Sequence, residues 1–334
     1  NLIANYLSNR KQRVKVAGSY SSTLDITKGV PQGSILGPAF FNVLMNDVFY
    51  CVNDGHLSNY ADDNSVLVSA KSKGDLITKL ISQGETLIDW CEVNEMEANP
   101  SKFELLVSNE SSPVSIEISN TTITSSKYAK LLGITIDNRL TFTEHISNLI
   151  RKSSRQLNCL KRLSKYLDTK TKLSIYKTFI LSNFNYCPTV WHCCGIQNTK
   201  KLEKVQHRAL KFIYEDYTSE YDTLLKKANL PTLELQRLRA IATEVFKAYN
   251  SLSPQYVCDI FQKPKHNYSL RAKNTLFKTS NTSTKGGLHS FKHVGTTIWN
   301  SLPNELRTTT DYSTFKKLIN TWSGISCKCS FCKN

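Results

Sequence analysis

The sequence predicts an α+β chain: an antiparallel sheet with packed helices over residues 1–136, an α-helical region over 137–262, and a helical C-terminal region, 263–334, ending in a cysteine-rich tail. Three observations predict it. In the first part, short β-branched runs lie between Gly, Asn and Pro, the pattern of strands and turns. From Thr143 onward apolar residues recur at helical spacing, with polar connections between the segments. The charge divides at the same place: residues 1–136 hold 11 basic and 14 acidic side chains, whereas 137–334 hold 32 and 13. The second part therefore carries the whole of the chain's +16 excess.

Taken in order, residues 29–38 (Gly-Val-Pro-Gln-Gly-Ser-Ile-Leu-Gly-Pro) form a Pro/Gly-interrupted turn running into an apolar helix over 40–48. Two strand-like runs, 57–60 and 64–68, flank Ala61-Asp62-Asp63, which makes a hairpin with two carboxylates at its turn. Leu76, Ile77, Leu80, Ile81, Leu87, Ile88 and Cys91 predict an amphipathic helix over 73–94. Strands return at 103–107 and 131–136. Thr143 is the expected N-cap of a long helix whose apolar face is Ile146, Leu149, Ile150, Leu157, Leu160 and Leu163. Much of the rest of that helix is basic: Arg151, Lys152, Arg155, Lys161, Arg162 and Lys165. Further helices are expected at 170–184, 200–214, 233–250 and 312–321, and a polar loop at 263–287.

At 334 residues the chain can bury its cores without staples. Its basicity points to an anionic polymer or surface as partner. No apolar run approaches the roughly 20 residues a bilayer requires, so no membrane span is expected. The start, Asn1-Leu2-Ile3, has no initiator Met and no secretory signal, and reads as the middle of a longer polypeptide. The ten cysteines are scattered, which favours reduced thiols of an intracellular compartment over a disulfide framework.

Adjacent carboxylates at a turn, as in Tyr60-Ala61-Asp62-Asp63, repel each other unless a cation compensates, and a divalent metal would do so. Alone, the four residues read first as a solvated Asp-rich turn. They are not alone. Tyr6-Leu7-Ser8-Asn9-Arg10-Lys11-Gln12-Arg13-Val14 and the Gly29 to Pro38 motif precede them, the latter with a helix bearing Phe41, Asn42, Asn46 and Asp47. Asn99-Pro100-Ser101-Lys102-Phe103, Leu131-Leu132-Gly133-Ile134-Thr135-Ile136-Asp137, His145 and Trp299-Asn300-Ser301-Leu302-Pro303 follow. In this order and at these spacings the chain resembles the reverse transcriptases of non-LTR (LINE-like) retrotransposons, jockey-type elements in particular, over nearly its whole length.

The resemblance implies a partial palm over 1–136, a helical thumb and connection over 137–262, and a C-terminal region over 263–334. It implies an RNA-directed DNA polymerase that adds deoxynucleotides to a primer 3′-end by a two-metal magnesium mechanism, with RNA template, DNA primer or target DNA, and dNTPs as partners. Asp62 would be a magnesium ligand and Asp63 its accessory carboxylate. Tyr60 would lie near the primer end, Pro31, Gln32 and Gly33 beside the templating base and incoming nucleotide, and Lys102 against the triphosphate. Arg151, Lys152, Arg155, Lys161, Arg162 and Lys165 would contact duplex phosphates without regard to sequence. In the family order another metal-binding Asp precedes Tyr6, and no residue before Tyr6 supplies it. The metal site of this chain is thus expected to be incomplete and the chain alone inactive. Action in the nucleus is implied, although no strong basic targeting cluster stands out. Arg10, Lys11, Arg13 and Lys15 read as a charged surface run or as phosphate contacts. Cys327, Cys329 and Cys332 offer three thiols to zinc, with Cys258, His289 and His293 as chemical candidates for a fourth ligand. Cys187, His192, Cys193 and Cys194 read as helix packing. The rival reading is a non-catalytic nucleic-acid-binding remnant of a decayed or domesticated element.

Overall fold

The computed structural model describes residues 2–110, 112–261, 276–278, 282 and 284–324. They divide into two compact units, Asn1–Ser126 and Lys127–Asn334.

In the first unit, α1 (Leu2–Leu7) leads into nested ribbons: β1 (Arg10–Gln12) enclosing β2 (Lys15–Val16) and β3 (Ser19–Tyr20), and β4 (Leu24–Ile26) closing back on β1. Ala17 and Gly18 both take positive φ, the conformation that lets a two-residue loop follow the strand twist. After the turn at 29–34 come α2 (Gly37–Met45) and a 3-10 turn, Asn46–Tyr50. The hairpin of β5 (His56–Tyr60) and β6 (Asp63–Leu67) follows, then α3 (Lys73–Val93), capped by the Ser72 hydroxyl on the Asp75 N–H at 3.1 Å. A second hairpin, β7 (Ser115–Ile118) with β8 (Thr121–Thr124), lays Ile116, Ile118 and Ile123 into a core with Ile88, Leu105 and Val107. Gly84 of α3 makes this possible, because a Cβ there would collide with Ile118.

The expected single sheet is realised as separate two-stranded antiparallel ladders. Residues 103–107 form no ladder among the described residues. Leu105 and Val107 are buried as an extended segment, tied by the Ser126 N–H to the Leu105 carbonyl at 2.9 Å.

The second unit opens on β9 (Tyr128–Leu131) and β10 (Ile134–Asp137). The expected strand over 131–136 is therefore broken, since Leu132 and Gly133 take positive φ and turn the chain back. Asp137 ends the hairpin and builds the next helix: its carboxylate accepts from the Thr141 and Phe142 N–H groups at 3.0 and 2.6 Å. With Phe142 in the cap position, Thr143 is the first residue of α4 (Thr143–Leu163) rather than its cap. There follow α5 (Thr169–Ile175), which runs on through a π turn and a 3-10 turn to Asn185, α6 (Pro188–Trp191), α7 (Ile196–Tyr214), α8 (Tyr221–Ala228) and α9 (Leu233–Tyr249). After α10 (Gln255–Cys258) and α11 (Lys285–His289) come α12 (Phe291–Ser301), α13 (Asn304–Thr308) and α14 (Tyr312–Ile319). The expected loop over 263–287 lies mostly outside the described residues, and its last three positions are helical. Two cores hold the unit: Ile146, Leu157, Tyr176, Trp191 and Leu210 centre the first, and Phe246, Trp299 and Phe315 the second.

Candidate active site and nucleic-acid face

The Tyr60-Ala61-Asp62-Asp63 segment is the hairpin its sequence predicts. Tyr60 pairs with Asp63, leaving Ala61 and Asp62 as a two-residue turn in which Ala61 takes a φ of 55°. For a residue with a Cβ that conformation costs roughly 1–2 kcal/mol. Asn59 offsets the strain: its amide donates to the Ala61 carbonyl at 2.8 Å and to Asn64 Oδ1 across the ladder at 2.9 Å. Leu57 anchors the hairpin on Met45, Val48 and Trp90. Trp90 in turn donates its indole N–H to Asp47 at 3.1 Å, which gives the helix motif ending in Asp47 a structural reason.

Asp62 and Asp63 are both exposed, and among the described residues neither carboxylate has an ion pair or a side-chain hydrogen bond. As uncompensated hard oxygen donors they fit magnesium in kind. They fall short in number: among the described residues no group of three or more His, Cys, Asp or Glu is placed to hold a metal. Tyr60 is exposed.

Pro31 is half-buried, while Gln32 and Gly33 are exposed. Gly33 has a φ of 78° with open space where a Cβ would be, so the backbone conformation itself calls for glycine. Ser34 accepts from the Gly37 N–H at 2.9 Å and starts α2. Arg10 holds the near end of this loop by donating to the carbonyls of Leu7, Lys28 and Gly29. It is thus a structural post. Lys11 pairs with Asp25 at 3.6 Å, and Arg13 and Lys15 lie over the Tyr20 ring at 4.1 and 5.1 Å. Lys102 ends a 3-10 turn capped by Asn99, and its exposed ammonium has no partner among the described residues. No hydrogen bond or ion pair among the described residues joins the Asp62–Asp63 turn to Lys102 or to the Gln32 loop.

On α4, Ile146, Leu157 and Leu160 are buried and Leu149 and Ile150 half-buried while Arg151, Lys152, Arg155, Lys161 and Arg162 are exposed, as the helical period predicts. Leu163, expected on the apolar face, is the last residue of the helix and is exposed. Lys165 lies beyond α4 on a 3-10 turn, its ammonium 4.8 Å from the Tyr166 ring. None of the six is in an ion pair among the described residues. Sequence reasoning missed the matching basic stripe of α7, Lys204, Arg208 and Lys211, whose i, i+4, i+7 spacing was its visible signal. His207 lies beside them. Burial and the Lys211 charge hold its pKa below the ordinary imidazole value, against the opposing pull of Glu220 and the Ser219 backbone.

The cysteine tail, with Cys327, Cys329 and Cys332, lies outside the described residues. Trp191, His192, Cys193 and Cys194 are buried, and Cys194 contacts the Thr199 hydroxyl, so these pack the interior as expected, whereas Cys187, at the left-handed cap of α6, is exposed and does not. Nothing among the described residues supports zinc.

Residues 2–136, which hold the carboxylate turn and the Gly/Pro loop, match the family model of the reverse transcriptases (RNA-dependent DNA polymerases). The chain is homologous to the RNA-directed DNA polymerases of non-LTR retrotransposons. It is 30% identical over 251 residues to the probable RNA-directed DNA polymerase from transposon BS of Drosophila melanogaster, covering 70% of this chain and 28% of that protein. To the RNA-directed DNA polymerase from mobile element jockey of the same species it is 27% identical over 224 residues, 64% of this chain and 24% of that one. The X-element polymerase matches at 25% over 225 residues, again 64% and 24%. The chain spans about a quarter of the length of the curated relatives it matches. Among the described residues no helix is long and apolar enough to cross a membrane.

Proposed function

We propose that this chain is part of an RNA-directed DNA polymerase that transfers deoxynucleoside monophosphates from dNTPs to a primer 3′-hydroxyl, copying RNA onto nicked target DNA. The observation that carries this reading is the Asp62–Asp63 hairpin inside a reverse transcriptase domain: two adjacent carboxylates on a clamped turn, exposed and without a protein cation. Residues 1–136 act as part of the palm, 137–262 as the thumb and 263–334 as a C-terminal region, although β9 and β10 fold with the second unit.

Asp62 and Asp63 would hold magnesium, which when bound activates the 3′-hydroxyl and takes up charge on the departing pyrophosphate. Asn59 fixes the turn that orients both carboxylates. The open backbone at Gly33, stiffened by Pro31, admits the template base pair beside Gln32, and Tyr60 stands at the primer end. Lys102, flexible and unpaired among the described residues, neutralises the triphosphate. Arg151, Lys152, Arg155, Lys161, Arg162 and Lys165 grip the duplex by its phosphates.

Primer extension on an RNA template tests the assignment. The 334-residue chain is expected not to extend a primer, because its described residues supply two adjacent carboxylates and no third metal ligand near them. In a longer reading frame that supplies a further carboxylate, Asp62→Asn should lower extension at least about 100-fold with template binding nearly unchanged, and Lys102→Ala about tenfold. Near-normal extension by Asp62→Asn would overturn the assignment of the hairpin. Failure of the longer frame to extend, with nucleic-acid binding intact, would favour the non-catalytic remnant, the reading that the incomplete ligand set supports.

A further inference from the structure

Between α4 and α7 runs a cleft of about 240 Å³. Lys161 reaches it from α4, and Lys204, Arg208 and Lys211 line it from one stripe of α7. Phe212 and the exposed Tyr217 (66% accessible) supply its aromatic surface. None of the four cations is in an ion pair among the described residues. Arg208 donates to the Ser154 hydroxyl at 2.8 Å, and the Lys161 ammonium stands 5.7 Å from the Phe212 ring centre. The nearby carboxylates are engaged elsewhere: Glu215 pairs with Lys172 at 2.9 Å, and Glu203 accepts from the Tyr221 hydroxyl and the Leu233 and Glu234 N–H groups. Glu220 acts on His207 at the rim.

Four like charges converging with no carboxylate among the lining residues repel one another, and an anion would relieve the repulsion. The space is smaller than the ~300–1,000 Å³ of a pocket for a drug-sized molecule. At about 240 Å³ it suits a phosphate with its sugar rather than a double helix. An exposed aromatic beside a cationic groove is how single strands are held, phosphate by charge and base by stacking.

We propose that this cleft binds single-stranded nucleic acid, seating one backbone phosphate among Lys161, Lys204, Arg208 and Lys211 and stacking the adjoining base on Tyr217. The inference rests on the nucleic-acid reading above but assigns the strand to a site that shares only Lys161 with the duplex grip and otherwise stands apart from the outward face of α4, where Arg151, Arg155 and Arg162 meet a duplex.

The test titrates the whole chain with a fluorescein-labelled ten-residue oligo(U) and with a ten-base-pair duplex at several salt concentrations. Lys204→Gln with Lys211→Gln should weaken oligo(U) binding at least tenfold and lower its log K against log salt slope by about 1.4. Tyr217→Ala should weaken it roughly tenfold, and Tyr217→Phe, which keeps the stacking face, should restore it. Both cleft variants should bind duplex within twofold of the wild type, whereas Arg151→Gln with Arg155→Gln should show the reverse. Circular dichroism reports folding, and the exposed Lys204→Gln variant guards against misfolding at Tyr217. Unchanged oligo(U) affinity in folded cleft variants, or equal loss of duplex and single strand, would overturn the cleft assignment while leaving the polymerase reading intact. Binding of neither probe by the wild type would overturn both.

Discussion

The first unit holds its chemistry with short-range devices, and the second holds its surface with a deep interior. In residues 2–110 and 112–126, ten apolar side chains are buried among the described residues, against thirty-eight in the second unit. The ribbons of the first unit are closed by two-residue turns with positive φ, at Ala17 and Gly18, at Ala61, and at Ser119 and Asn120. A lone two-stranded ribbon is marginal in water, so the Asp62–Asp63 turn depends on Asn59, on Leu57 and on the Trp90–Asp47 bond. Large apolar surface stays uncovered in the same unit: Ile35 is 96% accessible, Val43 75% and Tyr50 78%. In the second unit Trp191, Trp299, Phe246 and Leu210 are fully enclosed, and the basic helices stand on that base. The contrast teaches that the carboxylate turn is a local structure, whereas the nucleic-acid face is a property of tertiary packing.

The largest effect should come from removing the centre of the second core. Trp299 is enclosed by Tyr249, Phe277 and Phe315, with ring centres 5.1, 5.9 and 6.3 Å away. Trp299→Ala should cost about 3–5 kcal/mol by cavity formation, read as a lower urea midpoint. Hydrogen exchange sharpens the comparison: amides of α9, α12 and α14 should lose protection while those of β5 and β6 keep their wild-type rates. A matching loss in β5 and β6 would show that both regions open together and would break the distinction.

What the sequence made legible follows the same line. The long helices α3 and α4 were readable from the period of their apolar residues, but the cap was not: Phe142 rather than Thr143 holds the cap position of α4, because Asp137 accepts the Phe142 N–H. The carboxylate hairpin was readable because its turn is two residues long and its strands are flanking runs. Residues 103–107 misled because burial of Leu105 and Val107 gives an apolar run the same pattern whether or not a strand pairs with it. The run at 131–136 hid a turn at Gly133. Arg10 looked like surface charge, but its guanidinium satisfies three carbonyls that no local pattern identifies. The α4–α7 cleft required knowing that Lys161 and Lys204, 43 positions apart in sequence, face one space.

A smaller effect should mark the turn itself. Asn59→Ala removes two hydrogen bonds from an exposed element, a loss of about 0.5–1.5 kcal/mol per bond. Because the element is local, the loss should appear as roughly tenfold faster exchange at the Asp63 and Asn64 amides, with the thermal midpoint of the second unit unmoved. A lowered midpoint with unchanged exchange would mean that the turn is held from elsewhere.

The smallest expected effect separates the units by pH. His145, 4% accessible, accepts the Thr135 N–H on Nδ1 at 3.3 Å and packs against Trp191, with no partner on Nε2 among the described residues. Burial lowers its pKa below the ordinary value of 6.5. His207 is lowered too, first by burial. Below about pH 6.5 the unfolded chain therefore binds protons that the folded chain refuses, so stability present above that pH is lost as pH falls. The first unit has a single histidine, the exposed His56, and no buried imidazole to match. Between pH 7.5 and 5.5 the second unit's melting temperature should fall, the direction that two lowered imidazoles impose. His145→Gln should flatten that fall, and adding His207→Gln should flatten it further, while intrinsic-rate-corrected exchange in β5 and β6 stays constant. A fall of equal size in His145→Gln would place the proton-sensitive group elsewhere. A parallel change in β5 and β6 would mean the carboxylate turn draws its stability from the same buried core as the basic face.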